Sequence, residues 1–106
     1  MNDAEFFRCM RELEAKEAFQ PEGWQWLSFA DEAGCRGVAI VKARGLLDAL
    51  RKTRARGMNP GGELLLRTLP AEALTPEQDR MLEDFSNRLL LPHEAECLKA
   101  DLRALN

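Results

Sequence analysis

His93 and Cys97 stand four residues apart, which on a helix turns both side chains to one side, the spacing at which two ligands can share a metal ion. A metal site needs further donors, and only the distant Cys9 or Cys35, or carboxylates such as Glu94, remain to supply them. A Cys97 nucleophile with His93 as its base is weaker still, because no neighbour is placed to orient the imidazole or to stabilise an oxyanion. The expectation is a solvent-facing histidine at a helix start and a half-buried thiol, with no catalytic residue, metal or cofactor. Paired carboxylates such as Glu12 and Glu14, or Glu94 and Glu96, lie two apart and do not face one another on a helix, so they belong to solvated faces.

The most locally specified segment is NPGGE, Asn59 to Glu63. Consecutive glycine amides can line an anion-binding concavity. A phosphate loop, however, leads into a helix and brings a lysine and a hydroxyl, whereas here the glycines lead into leucines. A turn accounts for every residue: Asn59 opens it, Pro60 fixes the second position and Gly61 supplies positive φ at the third. Asn59, Pro60, Gly61 and Gly62 are therefore assigned to geometry. The basic stretch Arg51, Lys52, Arg54 and Arg56 offers phosphate contacts, and Trp24 or Trp26 offers a stacking platform. Tryptophan in a strand more often fills a core or an interface. Trp24, Trp26, Arg51, Lys52 and Arg54 are assigned to a partner-binding surface.

These groups sit in a chain of 106 residues that is 45% hydrophobic and 31% charged, enough apolar material for one modest core and too much for a disordered chain. Charge is unevenly placed. From Arg36 to Arg67 there are eight bases and two acids, a net of +6, while the rest carries seven bases and sixteen acids, a net of −9. The pI near 5.2 argues against a dedicated nucleic-acid binder, so the basic middle is expected to pack against acidic ends of the same or a second chain. Three widely spaced cysteines with no CxxC exclude a disulfide framework and a zinc ribbon. No apolar run approaches the ~20 residues of a membrane span, and the N-terminus is charged throughout with no hydrophobic signal segment, so a cytoplasmic setting is expected.

The elements that must position these residues are legible in outline. Asn2 or Asp3 caps a helix of about residues 3 to 19, with Phe6, Met10 and Leu13 on one side, widened by Phe7 and Cys9. Pro21 and Gly23 end it and form a hinge, which makes residues 1 to 20 a helix able to swing or to pack on a second copy. WQWLSFADEAGCRGVAIVKA has the grammar of a β-hairpin around a loop at Asp31 to Arg36, and its second strand is apolar on both faces, as a central strand would be. GLLDALRKTRARG then shifts to helical spacing with Leu46, Leu47 and Leu50 inward and Gly57 as its cap. Leu64 to Leu69 reads as a third strand stopped by Pro70, lying beside either hairpin strand. Thr75, Pro76 and Gln78 start a helix with Met81, Leu82, Phe85 and Leu89 inward; a break near Leu91 and Pro92 precedes a last helix with Ala95, Leu98, Leu102 and Leu105 inward. The expected fold is one α+β domain over residues 1 to 106: a three-stranded mixed sheet, made of a hairpin plus a strand after a short crossover helix, packed with an N-terminal and two C-terminal helices.

NPGGE, the IVKA strand end and NRLL at Asn87 to Leu90 together resemble a family of small bacterial and phage-associated proteins of uncharacterised activity. The resemblance covers about residues 24 to 102 and departs at Pro92 to Glu94, where a polar helix cap is expected. It implies a bacterial or prophage setting and carries no catalytic residue or cofactor with it. The leading expectation is a non-enzymatic module that binds a protein partner or itself as a homodimer. A nucleic-acid-binding accessory protein using residues 36 to 67 comes second, and a small metalloprotein or enzyme using His93 and a cysteine third.

Overall fold

A computed structural model describes residues 2–69, 71–86 and 88–105. Pro70, expected to stop the third strand, and Asn87, which heads NRLL, lie outside the described residues. In chain order the elements are α1 (Asp3–Glu17), β1 (Gly23–Asp31), β2 (Gly34–Ala43), α2 (Leu46–Ala55), β3 (Glu63–Leu69), a 3-10 turn (Ala71–Ala73), α3 (Pro76–Asp84) and α4 (Pro92–Ala104). The α+β class is as expected. The strand order is β2-β1-β3, and both pairings are antiparallel. The expected mixed sheet becomes purely antiparallel because β3 docks beside β1, so the two strands that run parallel, β2 and β3, never touch. β1, not β2, is the central strand.

Alternation along β1 distributes the core between the two faces. Trp24 and Trp26 point to one side, where they join Val38, Ile40, Leu82, Leu90, Ala95 and Leu98 beneath α3 and α4. Leu27 and Phe29 point to the other, where they join Ala39, Val41, Ala43, Ala49 and Met58 beneath α2. Gln25, fully buried on this second face, has both ends of its amide satisfied: Nε2 donates to the Ala43 carbonyl at 3.2 Å, and Oε1 accepts from Thr68 Oγ1 at 2.8 Å. It ties all three strands together at one end. The hairpin is tighter than expected. Only Glu32 and Ala33 lie between the strands, the Asp31 carboxylate accepts the Ala33 N–H at 2.8 Å, and a bulge at Phe29/Ala30 takes up the register.

Two helices differ from expectation for physical reasons. In α2 the residues wholly buried are Ala49 and Thr53, with the leucines flanking them, because small side chains at i and i+4 let the helix settle close on the sheet. α3 begins where expected, on a reciprocal capping box between Thr75 and Gln78, but it ends at Asp84. Leu90 lies in a β-bridge instead: it exchanges backbone hydrogen bonds with Val38 at 2.9 and 2.7 Å, and Leu89 turns to the α2 side of the sheet. Leu90 thus bridges the β2 edge at Val38 just before Leu91 caps α4.

Candidate partner-binding surface

Both tryptophans are core residues, 5% and 6% exposed, and this corrects their assignment to a partner surface. Trp24 Nε1 donates to Asp79 Oδ1 at 2.7 Å, so the polar tip of the ring is satisfied by α3. Lys42 lies 5.2 Å over the Trp24 ring and Lys99 lies 5.6 Å over Trp26, which screens the remaining faces.

The basic helix α2 is exposed on its outer side but largely neutralised from within the chain. Lys52 Nζ donates to the Lys42 carbonyl at 2.7 Å and lies 3.3 Å from Asp48 and 3.4 Å from Glu22. Arg51 reaches Glu14 of α1 at 3.9 Å. Burial acts to raise the Asp48 carboxyl, but the Arg44 N–H and the cations Lys52 and Arg51 outweigh it and hold the group below its ordinary range. Of the three bases assigned to a partner, only Arg54 has no ion-pair partner among the described residues. The packing of the basic middle against acids of its own chain is the arrangement that the charge split favoured.

Glu17 does what a sequence reading does not anticipate. It is the one buried residue of α1. Its carboxylate accepts the N–H groups of Leu47 and Asp48 at 3.0 and 3.1 Å, capping the first turn of α2, whose own N-cap residue Gly45 has no side chain to offer. Gly45 is there for space, since a Cβ would lie 2.7 Å from the Glu17 side chain. This cap anchors the C-terminal end of α1 to the body. Glu17→Ala is expected to lower stability by about 2 kcal/mol and Glu17→Gln by about 1 kcal/mol, read from urea unfolding midpoints, because two charge-assisted bonds to helix-end amides are lost or weakened.

Beyond that anchor, α1 leaves most of its apolar side uncovered by the described residues, with only Met10 partly buried. Phe6 is 49% exposed and Phe7 59%, their rings 5.7 Å apart edge to face, and Leu13 and Phe19 are exposed as well. The stripe expected to swing or to pack on a second copy lies on the outside of the molecule. The consequence shows in the whole molecule. A compact chain of this mass presents roughly 6,000 Å², against 7142 Å² observed. Its radius of gyration is 14.7 Å, against roughly 13 Å for a chain of this length.

A second uncovered region lies along β3. Leu64 and Leu66 face the α2 side and pack there, while Leu65 and Arg67 face the other side, opposite Ser28 and Trp26. A groove of about 210 Å³ runs between this strand and α4, walled by Trp26, Leu65, Leu69 and Leu102 with Arg67, Lys99 and Arg103 at its rim. None of these was singled out from the sequence except Trp26. The available signal was the alternation in ELLLRTL, which puts Leu65 and Leu69 on the same face as the charged Glu63 and Arg67.

The remaining candidates are placed apart. NPGGE is a turn: Asn59 Oδ1 accepts the Gly61 N–H at 2.8 Å, and Gly61 and Gly62 have φ of 83° and 93°. His93 is exposed at the start of α4, and Cys97 is exposed rather than half-buried, as are Cys9 and Cys35. Arg88 and the N–H of Leu91 hold the Glu94 carboxyl below its ordinary range, which employs that group as the α4 cap. Among the described residues no three His, Cys, Asp or Glu side chains converge as metal ligands, and no helix is long and apolar enough to cross a membrane. No protein-family model, curated protein or solved structure matches the chain.

Proposed function

We propose that this protein is a non-enzymatic interaction module that engages another protein through the apolar side of α1, and that it also associates with itself as a homodimer. The observation that carries this reading is the exposure of Phe6, Phe7 and Leu13 on a helix anchored at only one end. The excess surface, on the order of 1,000 Å², is comparable to one partner's share of a standard interface. Clustered aromatics at such a site are the usual energetic anchors of protein recognition. The ion pairs that engage Arg51 and Lys52 favour a protein partner over a nucleic acid, because cations already paired release fewer counterions on binding phosphates. The cytoplasmic, bacterial or prophage setting belongs to the same proposal and rests on the sequence motifs alone.

The test is a double substitution, Phe6→Glu with Phe7→Glu. Both side chains already face water, so the thermal melt is expected to stay within a few degrees of wild type. Proteins captured from the native host by the tagged wild-type chain are expected to fall roughly 100-fold in abundance with the variant, as loss of two anchor residues implies. Equal capture by both chains would sink the assignment to α1.

A further inference from the structure

The two edges of the sheet are finished differently. On the β2 side, Val38 and Leu90 exchange two backbone hydrogen bonds, and the segment before α4 lies against that edge. On the β3 side, among the described residues, β1 is the only strand bonded to β3, and no backbone hydrogen bond reaches it from outside the sheet. β3 is seven residues long with an unbroken register and no proline, and it carries Leu65, 66% exposed, near its middle. An open edge of this kind, unblunted by bulge or proline, is a template for another strand.

We infer that the β3 edge pairs with β3 of a second copy of this chain, antiparallel, in the register that sets Leu65 against Leu65. A two-fold axis normal to the sheet keeps each side chain on its own face and therefore allows few registers. Centred on Leu65, the pairing sets Glu63 opposite Arg67 of the other copy, twice by symmetry, and Leu64 opposite Leu66. Centred on Leu66 it would set Leu65 against Arg67, and centred on Leu64 it would set Glu63 against Leu65, leaving the charges unmatched. One step further, centred on residue 67, it would oppose Arg67 to itself, and like charges directly opposite destabilise a sheet. The Leu65 register alone matches both charges and covers both leucines, and it brings the second Leu65 to the mouth of the groove walled by Trp26, Leu69 and Leu102.

The product is one six-stranded sheet, β2-β1-β3-β3-β1-β2. On each outer edge Leu90 already occupies the backbone groups of Val38 in the middle of β2, so a further strand cannot pair along that edge without displacing it, and assembly stops at two copies. The pairing gives a location to the self-association within the interaction-module reading and rests on that reading for its premise, but α1 takes no part in the surface. Five residues per strand make a small interface, so the dissociation constant is expected on the order of 10 µM.

Sedimentation velocity of the full chain up to about 200 µM tests this, since that range spans the expected constant. The wild type is expected to shift from monomer to dimer. Leu65→Lys, on a side chain already mostly in water, is expected to weaken the dimer roughly 100-fold while leaving the thermal melt unchanged, since the change counts twice across the axis. Glu63→Arg and Arg67→Glu are each expected to weaken it, and E63R/R67E to restore it. Residues four apart on one strand are roughly 13 Å from each other, so restoration cannot arise within one chain. A monomeric wild type overturns the inference, as does a double charge swap no better than either single one. A dimer that survives Leu65→Lys but is lost in F6E/F7E also overturns it, by moving self-association to α1. If the wild type is monomeric while capture still depends on Phe6 and Phe7, the α1 assignment stands without this one. If the charge-swap pattern holds while capture ignores Phe6 and Phe7, the β3 dimer stands without the α1 assignment.

Discussion

Gly62→Val is expected to destabilise the protein by about 4 kcal/mol, a large fraction of the 5–15 kcal/mol typical of a small domain. Two effects combine. The backbone at Gly62 has φ of 93°, where a β-branched side chain is strained by roughly 1–3 kcal/mol. A Cβ there would also lie 2.4 Å from the Ala30 carbonyl oxygen, and that oxygen belongs to β1, whose position the whole sheet shares. Forcing the two apart costs a further roughly 1–3 kcal/mol of overpacking. Gly61 separates the effects, because a Cβ at that position would meet only the Arg36 guanidinium at 3.7 Å. Gly61→Ala is therefore expected to cost about 1 kcal/mol, from backbone conformation alone. Urea unfolding midpoints of the two alanine variants should differ clearly, with Gly62→Ala the worse. Equal midpoints would remove the close approach as the reason for the second glycine. A Gly61 variant that kept its stability yet lost partner binding would instead make the turn a ligand cradle.

Trp26→Ala is expected to cost about 4 kcal/mol as well, lowering the melting temperature by about 20 °C. The ring belongs to a buried cluster with Trp24, Val38, Ile40, Leu82, Leu90, Ala95 and Leu98, drawn from the sheet, the β2-edge segment and both C-terminal helices. Its removal leaves a cavity continuous with the groove beside β3, and that groove admits water to the centre of the cluster. Trp26→Phe retains most of the apolar contact and is expected to lose only about 1–2 kcal/mol. The pair of variants separates core filling from partner contact. A surface anchor would change binding and leave the melt untouched; a core residue lowers the melt first, and any binding loss follows in proportion to unfolding.

Several local features were legible in the chain because their causes are local. The Thr75–Gln78 box, the Asn2 cap, the left-handed Gly57 and the Asn59–Gly61 turn each depend on residues within three or four positions of one another. Strand alternation is local in the same way, since it alone sets Trp24 with Trp26 on one face of β1 and Leu27 with Phe29 on the other. Periodicity failed where it could not say what lay opposite. The stripe of Phe6, Met10 and Leu13 has helical spacing, yet spacing is the same whether the face meets a core, another protein or water. Leu89 and Leu90 continued the helical pattern of α3, but the unpaired edge of β2 offered Leu90 two backbone hydrogen bonds, and Leu90 lies in a β-bridge there.

Class, elements and turns follow from residue order alone: one α+β chain with a hairpin, a short helix into a third strand by way of NPGGE, and a helical C-terminal third. The docking of β3 beside β1 came from packing between distant segments; it makes the sheet antiparallel and leaves the Leu65 edge open, while both tryptophans are buried. The same packing lets Glu17 cap a helix thirty residues away. The difference is one of range. Caps, turns and alternation are set by neighbours in the chain, whereas strand order and burial are set by which distant surfaces exclude water together. ELLLRTL is an edge strand on either side of the hairpin, but beside β1 it sets Leu65 opposite Ser28 at the groove next to α4, and from that placement follows the site on which a second copy is proposed to dock.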